Sequence, residues 1–317
     1  MKASIRIGTR GSPLALYQAE LVKARILQNF PLVAVEIVKI KTSGDMTRRR
    51  YATPLETKRV FTREIEDALT AGEIDLAVHS AKDMAVVLPP GLKVAAALER
   101  EDPRDCLVSR DGKKMAQLPL GARIGTSSLR RKMQLLRHHP EMTVVDLHGN
   151  IGTRIRKLEE GGFDAIVLAH AGLKRLGLVN HVSEIFSEEK FYPAPGQGIV
   201  LIESREDDSA LDEFTAPLGH ALTEQRLVCE RAFLKRLEGG CQLPCGIRTR
   251  VEADKLQAAG ILLAVEECLW AEAVFEGPCN EAKRVGKELA GLVLGNGGLA
   301  ILEKIRASSG RKGTKHE

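Results

Sequence analysis

The sequence lacks the long apolar runs of signal peptides and membrane-spanning helices. Its start, M-K-A-S-I-R-I-G-T-R, has no apolar stretch of the signal-peptide type. The longest apolar run elsewhere, A-G-I-L-L-A-V at residues 259–265, is far shorter than the roughly 20 residues that a spanning helix needs. We therefore expect a cytoplasmic protein with no membrane partner.

A strong excess of one charge is also missing. The chain holds 47 Lys and Arg against 42 Asp and Glu, a net charge of +5, which is too balanced to indicate a nucleic-acid partner. The basic residues are nevertheless clustered, with six between Arg48 and Arg63 and five between Arg123 and Arg137. Such clusters favour an anionic ligand.

The six cysteines, in a long chain without a secretion signal, do not predict a disulfide framework, and we expect most to be reduced. One is unusual, because Cys241 follows a Gly-Gly pair and precedes Pro244. The residues alone leave four interpretations open. The first is a C-x3-C metal site with Cys245, but it lacks a second ligand pair, so we expect no metal. The second is a disulfide, which the residues favour even less than a metal site. A buried structural thiol and a thiol presented by a tight turn, as a nucleophile or attachment point, remain.

The length of 317 residues, with 44% hydrophobic and 28% charged residues, predicts a packed α/β protein of two or three domains. Short β-rich runs alternate with helical patterns, and Ser12-Pro13 is a helix start. The pattern occurs twice: R-I-G-T at 6–9 returns at 123–126, and residues 73–82 resemble 162–172. Two similar lobes imply a cleft lined by strand ends and helix N-termini, which suit carboxylates or phosphates.

The pattern changes after about Pro217 to a long helix, three β-rich runs and a final helical stretch, which predicts a separate α+β domain. The predicted domains are an N-terminal α/β lobe (1–98 and 199–216), a second α/β lobe (99–198) and a C-terminal α+β domain (217–317) that carries Cys241.

Two motifs follow predicted strands. In H-S-A-K-D at 79–83, Asp83 is either part of a polar turn or a carboxylate that stabilises a cationic intermediate. In G-T-S-S-L-R-R at 125–131, residues 126–128 cap a helix whose first turn holds Arg130 and Arg131. Positive charge is unfavourable there, so we expect an anion to compensate, unless the arginines form a solvated surface.

Eight motifs, in order along nearly the whole chain, resemble the porphobilinogen deaminase (hydroxymethylbilane synthase) family. They are I-G-T-R-G-S-P-L-A-L (7–16), L-A-V-H-S-A-K-D (76–83), E-R-E-D-P-R-D (99–105), G-T-S-S-L-R-R (125–131), G-N-I-G-T-R (149–154), A-G-L-K-R-L-G-L (171–178), P-G-Q-G (195–198) and L-E-G-G-C-Q-L-P (237–244).

The resemblance implies two lobes like periplasmic binding proteins, and a third domain whose Cys241 carries a dipyrromethane cofactor through a thioether. Asp83 would be catalytic, and the substrate would be porphobilinogen, added four times to the growing polypyrrole chain before hydrolysis releases the tetrapyrrole. The resemblance also implies a monomer.

The resemblance further implies two sets of site residues. The cofactor-binding residues would be Cys241, Lys82, Asp83, Thr126, Ser127, Ser128, Arg130, Arg131, Gly149 and Asn150. The substrate-binding residues would be Arg10, Ser12, Gln18, Lys58, His148, Arg154, Arg175 and Gln197.

Three departures separate the chain from the family pattern. His148 stands where the family has Arg before Gly-Asn, and an imidazole, unlike a guanidinium, is charged only in part near neutral pH. The glycine-rich G-G-K-G-x-F loop is here E-T-K-R-V-F at 56–61, and K-D-V-P is here K-D-M-A. We therefore carry two hypotheses, an active deaminase and a diverged, non-catalytic protein that binds an anionic ligand.

Overall fold

A computed structural model describes residues 3–43, 54–237, 243–264 and 269–310, with backbone alone at 54–61 and 308–310. The chain divides into two compact units, Met1–Glu101 with Gly198–Leu227 and Asp102–Gln197 with Val228–Glu317. The division into three domains with the predicted boundaries stays a prediction.

The first unit contains a five-stranded sheet. Its elements are β1 (Ser4–Arg10), α1 (Pro13–Asn29), β2 (Ala34–Ile40), α2 (Pro54–Thr70), β3 (Leu76–Ser80), β4 (Leu92–Ala97) and β10 (Val200–Arg205). The strand order is β2-β1-β3-β10-β4, and β10 runs antiparallel between β3 and β4. Helix α6 (Asp212–Thr215) and the start of α7 (Ala221–Arg236) follow β10.

The second unit repeats this arrangement. Its lobe contains β5 (Asp105–Ser109), β6 (Arg123–Gly125), α3 (Leu129–His138), β7 (Thr143–Val145), α4 (Ile151–Glu159), β8 (Ala165–Ala169), α5 (His170–Arg175) and β9 (Glu184–Ile185). The order β7-β6-β8-β5-β9 places an antiparallel strand beside β8, as β10 stands beside β3.

The predicted repeat extends to single hydrogen bonds. In the first lobe, Asp75 Oδ2 accepts the backbone N–H of Arg6 at 2.8 Å. In the second lobe, Asp164 Oδ2 accepts the backbone N–H of Arg123 at the same distance. The two arginines open the two R-I-G-T motifs, so the matching letters correspond to matching backbone positions.

The C-terminal part of the second unit is a three-stranded antiparallel sheet, β11 (Cys245–Glu252), β12 (Lys255–Leu263) and β13 (Trp270–Pro278), followed by α8 (Ala282–Val293) and α9 (Leu299–Gly310). The predicted fold class is confirmed, because the chain contains two sheet-bearing α/β lobes and a C-terminal three-stranded sheet with helices.

The helical segment Cys279–Ala307 is long and apolar enough to cross a membrane by length and composition alone. However, half of its apolar window is buried inside the protein, and α8 packs on β12 and β13. A kink with φ of +104° at Gly297 also interrupts the segment. These features are typical of a core helix.

Residues 56–61, which we expected to form a loop, lie instead within α2. The family pattern suggested a glycine-rich loop, but this chain has Glu, Thr, Lys and Arg there. Those residues disfavour a helix far less than glycine does. The expectation of a loop was therefore wrong.

Candidate active site

In the first lobe, α1 is fixed to the end of β3. Ser12 caps α1 as predicted, accepting the N–H of Ala15 at 3.3 Å. One turn further, Gln18 is only 2% exposed, and its Nε2 donates to Ser80 Oγ at 2.9 Å. The predicted ligand residues Ser12 and Gln18 thus lie on the helix that holds the strand before Asp83.

Asp83 ends a single 3-10 turn, Ala81–Asp83, directly after β3. The turn is held by two backbone bonds, from the N–H of Ala81 to Ile199 O at 3.0 Å and from that of Met84 to Ala81 O at 3.3 Å. Met84 is buried, whereas the Asp83 side chain is exposed. The fold therefore keeps this carboxylate at the surface of its lobe on a fixed backbone.

Sequence reasoning missed a buried pair behind this turn. His79 Nε2 lies 3.2 Å from Oε2 of Glu203, a fully buried carboxylate on β10. The two residues are 124 positions apart in the sequence, so no local pattern links them. The two side chains lie next to each other on the paired strands β3 and β10, behind the turn that carries Asp83.

In the second lobe, the loops after β6 and β7 are joined by one serine. Ser127 Oγ donates to Leu147 O at 2.8 Å and accepts the Leu147 N–H at 3.0 Å. Ser128 caps α3 as predicted, accepting the Arg131 N–H at 3.5 Å. The predicted ligand residues of the two loops therefore belong to one surface of the lobe.

The loop after β7 holds His148, Gly149 and Asn150. Gly149 has φ of +121°, a conformation that favours glycine. Asn150 caps α4 by accepting the Thr153 N–H at 2.9 Å. Arg154 Nε donates to Gly149 O at 2.7 Å. His148 is exposed at this loop, so its imidazole is accessible to a ligand.

The arginine pair, Arg130 and Arg131, surrounds one buried carboxylate. Arg130 Nη1 donates to Asp105 Oδ2 at 2.7 Å. Arg131 donates to Asp105 Oδ1 through Nε at 2.9 Å and Nη2 at 2.7 Å. Gln197 Nε2 reaches the same oxygen at 3.0 Å. Three predicted ligand residues thus meet at Asp105, to which the sequence analysis gave no role.

The positive charges of this cluster outnumber its negative charge. Burial by itself would raise the pKa of Asp105, but the two guanidinium groups outweigh it and hold that pKa well below its usual range. Burial lowers the pKa of Arg130. Two cations and one carboxylate leave one net positive charge in a region where charge is costly. An additional anion would be stabilised there.

The arginine pair is not a solvated surface, since each residue is 6% exposed, and that alternative was wrong. The expected compensating anion is supplied in part by the chain itself, as Asp105.

Of the other predicted ligand residues, four are partly buried and each has a partner: Arg10, Lys82, Arg154 and Arg175. Thr126 is buried and its Oγ1 accepts the Ser128 N–H at 3.2 Å.

Two predicted site residues lie outside the described residues, Cys241 entirely and Lys58 by its side chain. The described cysteines, Cys106, Cys229, Cys245 and Cys279, form no disulfide with one another and are buried. Burial raises the pKa of the Cys106 thiol to about 12 and also raises that of Cys229. Such thiols are poor nucleophiles near neutral pH.

Two family models match the chain. "Porphobilinogen deaminase, dipyromethane cofactor binding domain" matches residues 5–213, and "Porphobilinogen deaminase, C-terminal domain" matches residues 225–295. The dipyrromethane-binding domain is therefore present, and Cys241 falls in the range of the second model.

Curated relatives match over nearly their full length. The porphobilinogen deaminase of Roseiflexus sp. (strain RS-1) is 44% identical over 95% of this chain and 99% of that protein. The one of Carboxydothermus hydrogenoformans is 43% identical over 96% of this chain and 98% of that protein. A solved methionine binding protein, MetQ, is 14% identical with a TM-score of 0.42, over 73% of this chain and 90% of that one.

Proposed function

The chain belongs to the porphobilinogen deaminase family, and from this premise we propose that it condenses four porphobilinogen units head to tail. Each addition releases ammonia, and a final hydrolysis releases hydroxymethylbilane. The enzyme would be a transferase of tetrapyrrole biosynthesis that acts as a cytoplasmic monomer, without nucleic acid or membrane.

The observation that carries this proposal is the arginine pair around Asp105. A dipyrromethane bears acetate and propionate groups, so its site needs cationic donors. The cluster of two guanidinium groups and one carboxylate has a net positive charge and is buried. Arginine is suited to carboxylates because its donors form a rigid fork. The donor set fits the cofactor.

We assign the attachment to Cys241. When bound through this thiol, the dipyrromethane supplies the free α-carbon onto which porphobilinogen units are added. The high pKa values of Cys106 and Cys229 argue against those thiols as attachment points. Lys82, Asp83, the loop of residues 126–128, the arginine pair, Gly149 and Asn150 would hold the cofactor.

We assign the stabilisation of positive charge to Asp83. As ammonia leaves the aminomethyl group of porphobilinogen, the carbon that carried it becomes electron-poor. A carboxylate fixed on a short turn stabilises that charge without having to reorganise. It also accepts hydrogen bonds from the substrate's amine and pyrrole N–H groups. The exposure of Asp83 keeps it accessible to a substrate.

The substrate carboxylates would be bound by basic and polar side chains. A chain of six rings carries about twelve carboxylates, two for each unit, so many cationic donors are required. The proposed substrate-binding residues are Arg10, Ser12, Gln18, Lys58, His148, Arg154, Arg175 and Gln197.

Turnover and mass spectrometry test the proposal together. We expect the protein, made in a host that produces porphobilinogen, to release ammonia from added porphobilinogen and to yield hydroxymethylbilane, which cyclises spontaneously to uroporphyrinogen I. Oxidation of that product with added iodine gives uroporphyrin I for detection. The denatured wild type should carry the extra mass of two pyrroles, and Cys241→Ser should not. Cys268→Ser, the control, should keep it.

Two results would contradict the proposal. An adduct that remains in Cys241→Ser would remove Cys241 as the attachment point. A wild type that gains no adduct and releases no ammonia, even after incubation with preuroporphyrinogen, would favour the non-catalytic binding protein.

A further inference from the structure

A short segment of the second unit lies between helix α3 and the C-terminal sheet. This segment, Y-P-A-P-G-Q at residues 192–197, is called the proline segment here. On its α3 side, Arg130 Nη1 donates to Tyr192 O at 2.6 Å. Gln134 forms two further bonds, donating to Tyr192 O at 3.1 Å and accepting the Tyr192 N–H at 2.6 Å. The first residue of the segment is thus fixed to the helix of the arginine pair.

The other side of the proline segment contacts β11. The Ile247 N–H donates to Pro193 O at 2.9 Å. A Cβ placed on Gly246 would lie 2.6 Å from Tyr192 Cβ and 2.8 Å from Tyr192 O. These separations are shorter than real Cβ contacts, so only glycine permits the strand to approach this closely.

A buried carboxylate joins the end of the segment to the same sheet. Glu230, on α7, is fully buried. Its Oε2 accepts a hydrogen bond from the Gly196 N–H at 2.7 Å. Its Oε1 accepts a hydrogen bond from the Thr249 hydroxyl, with Oγ1 at 2.6 Å. Gly196 has φ of +75°, so the turn depends on glycine and on this acceptor. Glu230 therefore sets the position of the residue that precedes Gln197.

Gln197 completes the connection to the arginine pair. It is 1% exposed, and its Nε2 donates to Asp105 Oδ1 at 3.0 Å and to Pro103 O at 2.7 Å. The two ends of the proline segment thus bind the same group of charged side chains. Its first residue, Tyr192, is bonded to Arg130, and its last residue, Gln197, is bonded to Asp105.

We infer that Glu230 and Gly246 are positioning residues, which set the arginine pair for its ligand by fixing the proline segment against the C-terminal sheet. The inference rests on the proposed function and deepens it. In the sequence, Cys241 lies between these two residues. The elements that flank the proposed attachment point therefore also determine where the arginines lie.

Gly246→Ala tests the inference against a matched control. The added methyl group pushes the proline segment away, and misplacement of binding groups by about 1 Å costs up to about 100-fold in rate. We expect KM for porphobilinogen to rise on the order of tenfold, with a smaller change in kcat. Gly277→Ala, whose Cβ would lie 2.9 Å from Val285 Cγ2, crowds strand β13 of the same sheet against α8 and should leave KM within about twofold.

Glu230→Ala repeats the test without crowding, because it removes the acceptor of the Gly196 N–H. Glu230→Gln keeps an acceptor for that N–H and an amide that donates to Thr249 Oγ1, so it should restore KM. Equal KM values for Gly246→Ala and Gly277→Ala, together with an unchanged KM in Glu230→Ala, would overturn the inference.

A readout independent of turnover separates this inference from the proposed function. In ¹⁵N-arginine NMR spectra, the Nε–H of Arg131 should exchange slowly with water in the wild type. It should exchange faster in Gly246→Ala and Glu230→Ala, but not in Gly277→Ala. A wild type without ammonia release would contradict the proposed function, whereas unchanged exchange in the first two variants would contradict the positioning role.

Discussion

Arg131 binds Asp105 with two donors on a single oxygen, Oδ1, at 2.9 Å from Nε and 2.7 Å from Nη2. This leaves Oδ2 for Arg130 at 2.7 Å. One carboxylate thereby orients two side chains that the sequence places next to each other on a helix. Their directions are set by a residue of β5 and not by the helix itself.

Asp105→Asn should destabilise the fold strongly. The substitution keeps the shape of the side chain but leaves two buried guanidinium groups without a counter-charge, and breaking a buried pair costs about 3–5 kcal/mol. Urea unfolding measures the change. Asp212→Asn removes the partly exposed partner of Lys93 and should cost about 1 kcal/mol or less. Equal losses in the two variants would contradict this account.

Asp105 should also make the free energy of unfolding depend on pH. Because the pKa of Asp105 is lowered in the fold, the unfolded chain takes up a proton first as pH falls below about 4. The stabilisation is complete above that pH and is lost as pH falls further toward the lowered value. The free energy of unfolding, measured between pH 7 and pH 3, should decline more in the wild type than in Asp105→Asn. An equal decline in the wild type and in Asp105→Asn would contradict a lowered pKa for Asp105.

Asp83→Asn should lower turnover without lowering stability. The amide keeps the shape but cannot neutralise developing positive charge, and loss of one such group costs about 10²–10³-fold in kcat. The side chain is exposed, so the free energy of unfolding should change by less than about 0.5 kcal/mol. Ammonia release and thermal unfolding, measured on the same preparation, check both parts. Wild-type turnover in Asp83→Asn would remove Asp83 from the mechanism.

His148→Arg should strengthen substrate binding. A guanidinium offers a carboxylate a permanent charge and a rigid fork of donors that an imidazole lacks, and an exposed ion pair contributes up to about 1 kcal/mol, or about fivefold in affinity. KM for porphobilinogen should therefore fall by up to about fivefold in the variant. His139→Arg adds the same side chain elsewhere on the lobe and should keep the wild-type KM. Equal KM values for the wild type and His148→Arg would contradict a role for residue 148 in substrate binding.

The features that the sequence predicted well are local. Ser12 and Ser128 were identified as helix caps because a cap depends on a few neighbouring residues. The repeated R-I-G-T motif predicted two lobes for the same reason, since the same letters build the same turn. The partners Asp105 and Glu203 were missed because each acts on a side chain far away in the sequence.

The wrong expectation at residues 56–61 has a different cause. The family's glycine-rich loop suggested a loop, but the glycines are replaced in this chain, and the helix-compatible sequence E-T-K-R-V-F lies within α2. At the candidate site, the residue types predicted an anionic ligand. They did not predict that Arg130 and Arg131 would be held by the chain's own carboxylate, because burial of an arginine depends on tertiary packing.

The place of β10 in the first sheet has a consequence for synthesis on the ribosome. All five strands of the second lobe's sheet lie within residues 105–185, so that sheet can form as soon as this stretch has emerged. The first sheet has to wait, because β10 pairs with both β3 and β4 and is made after the second lobe. We therefore expect the lobe translated first to be completed last, with its unpaired β3 and β4 edges available to chaperones in the interval.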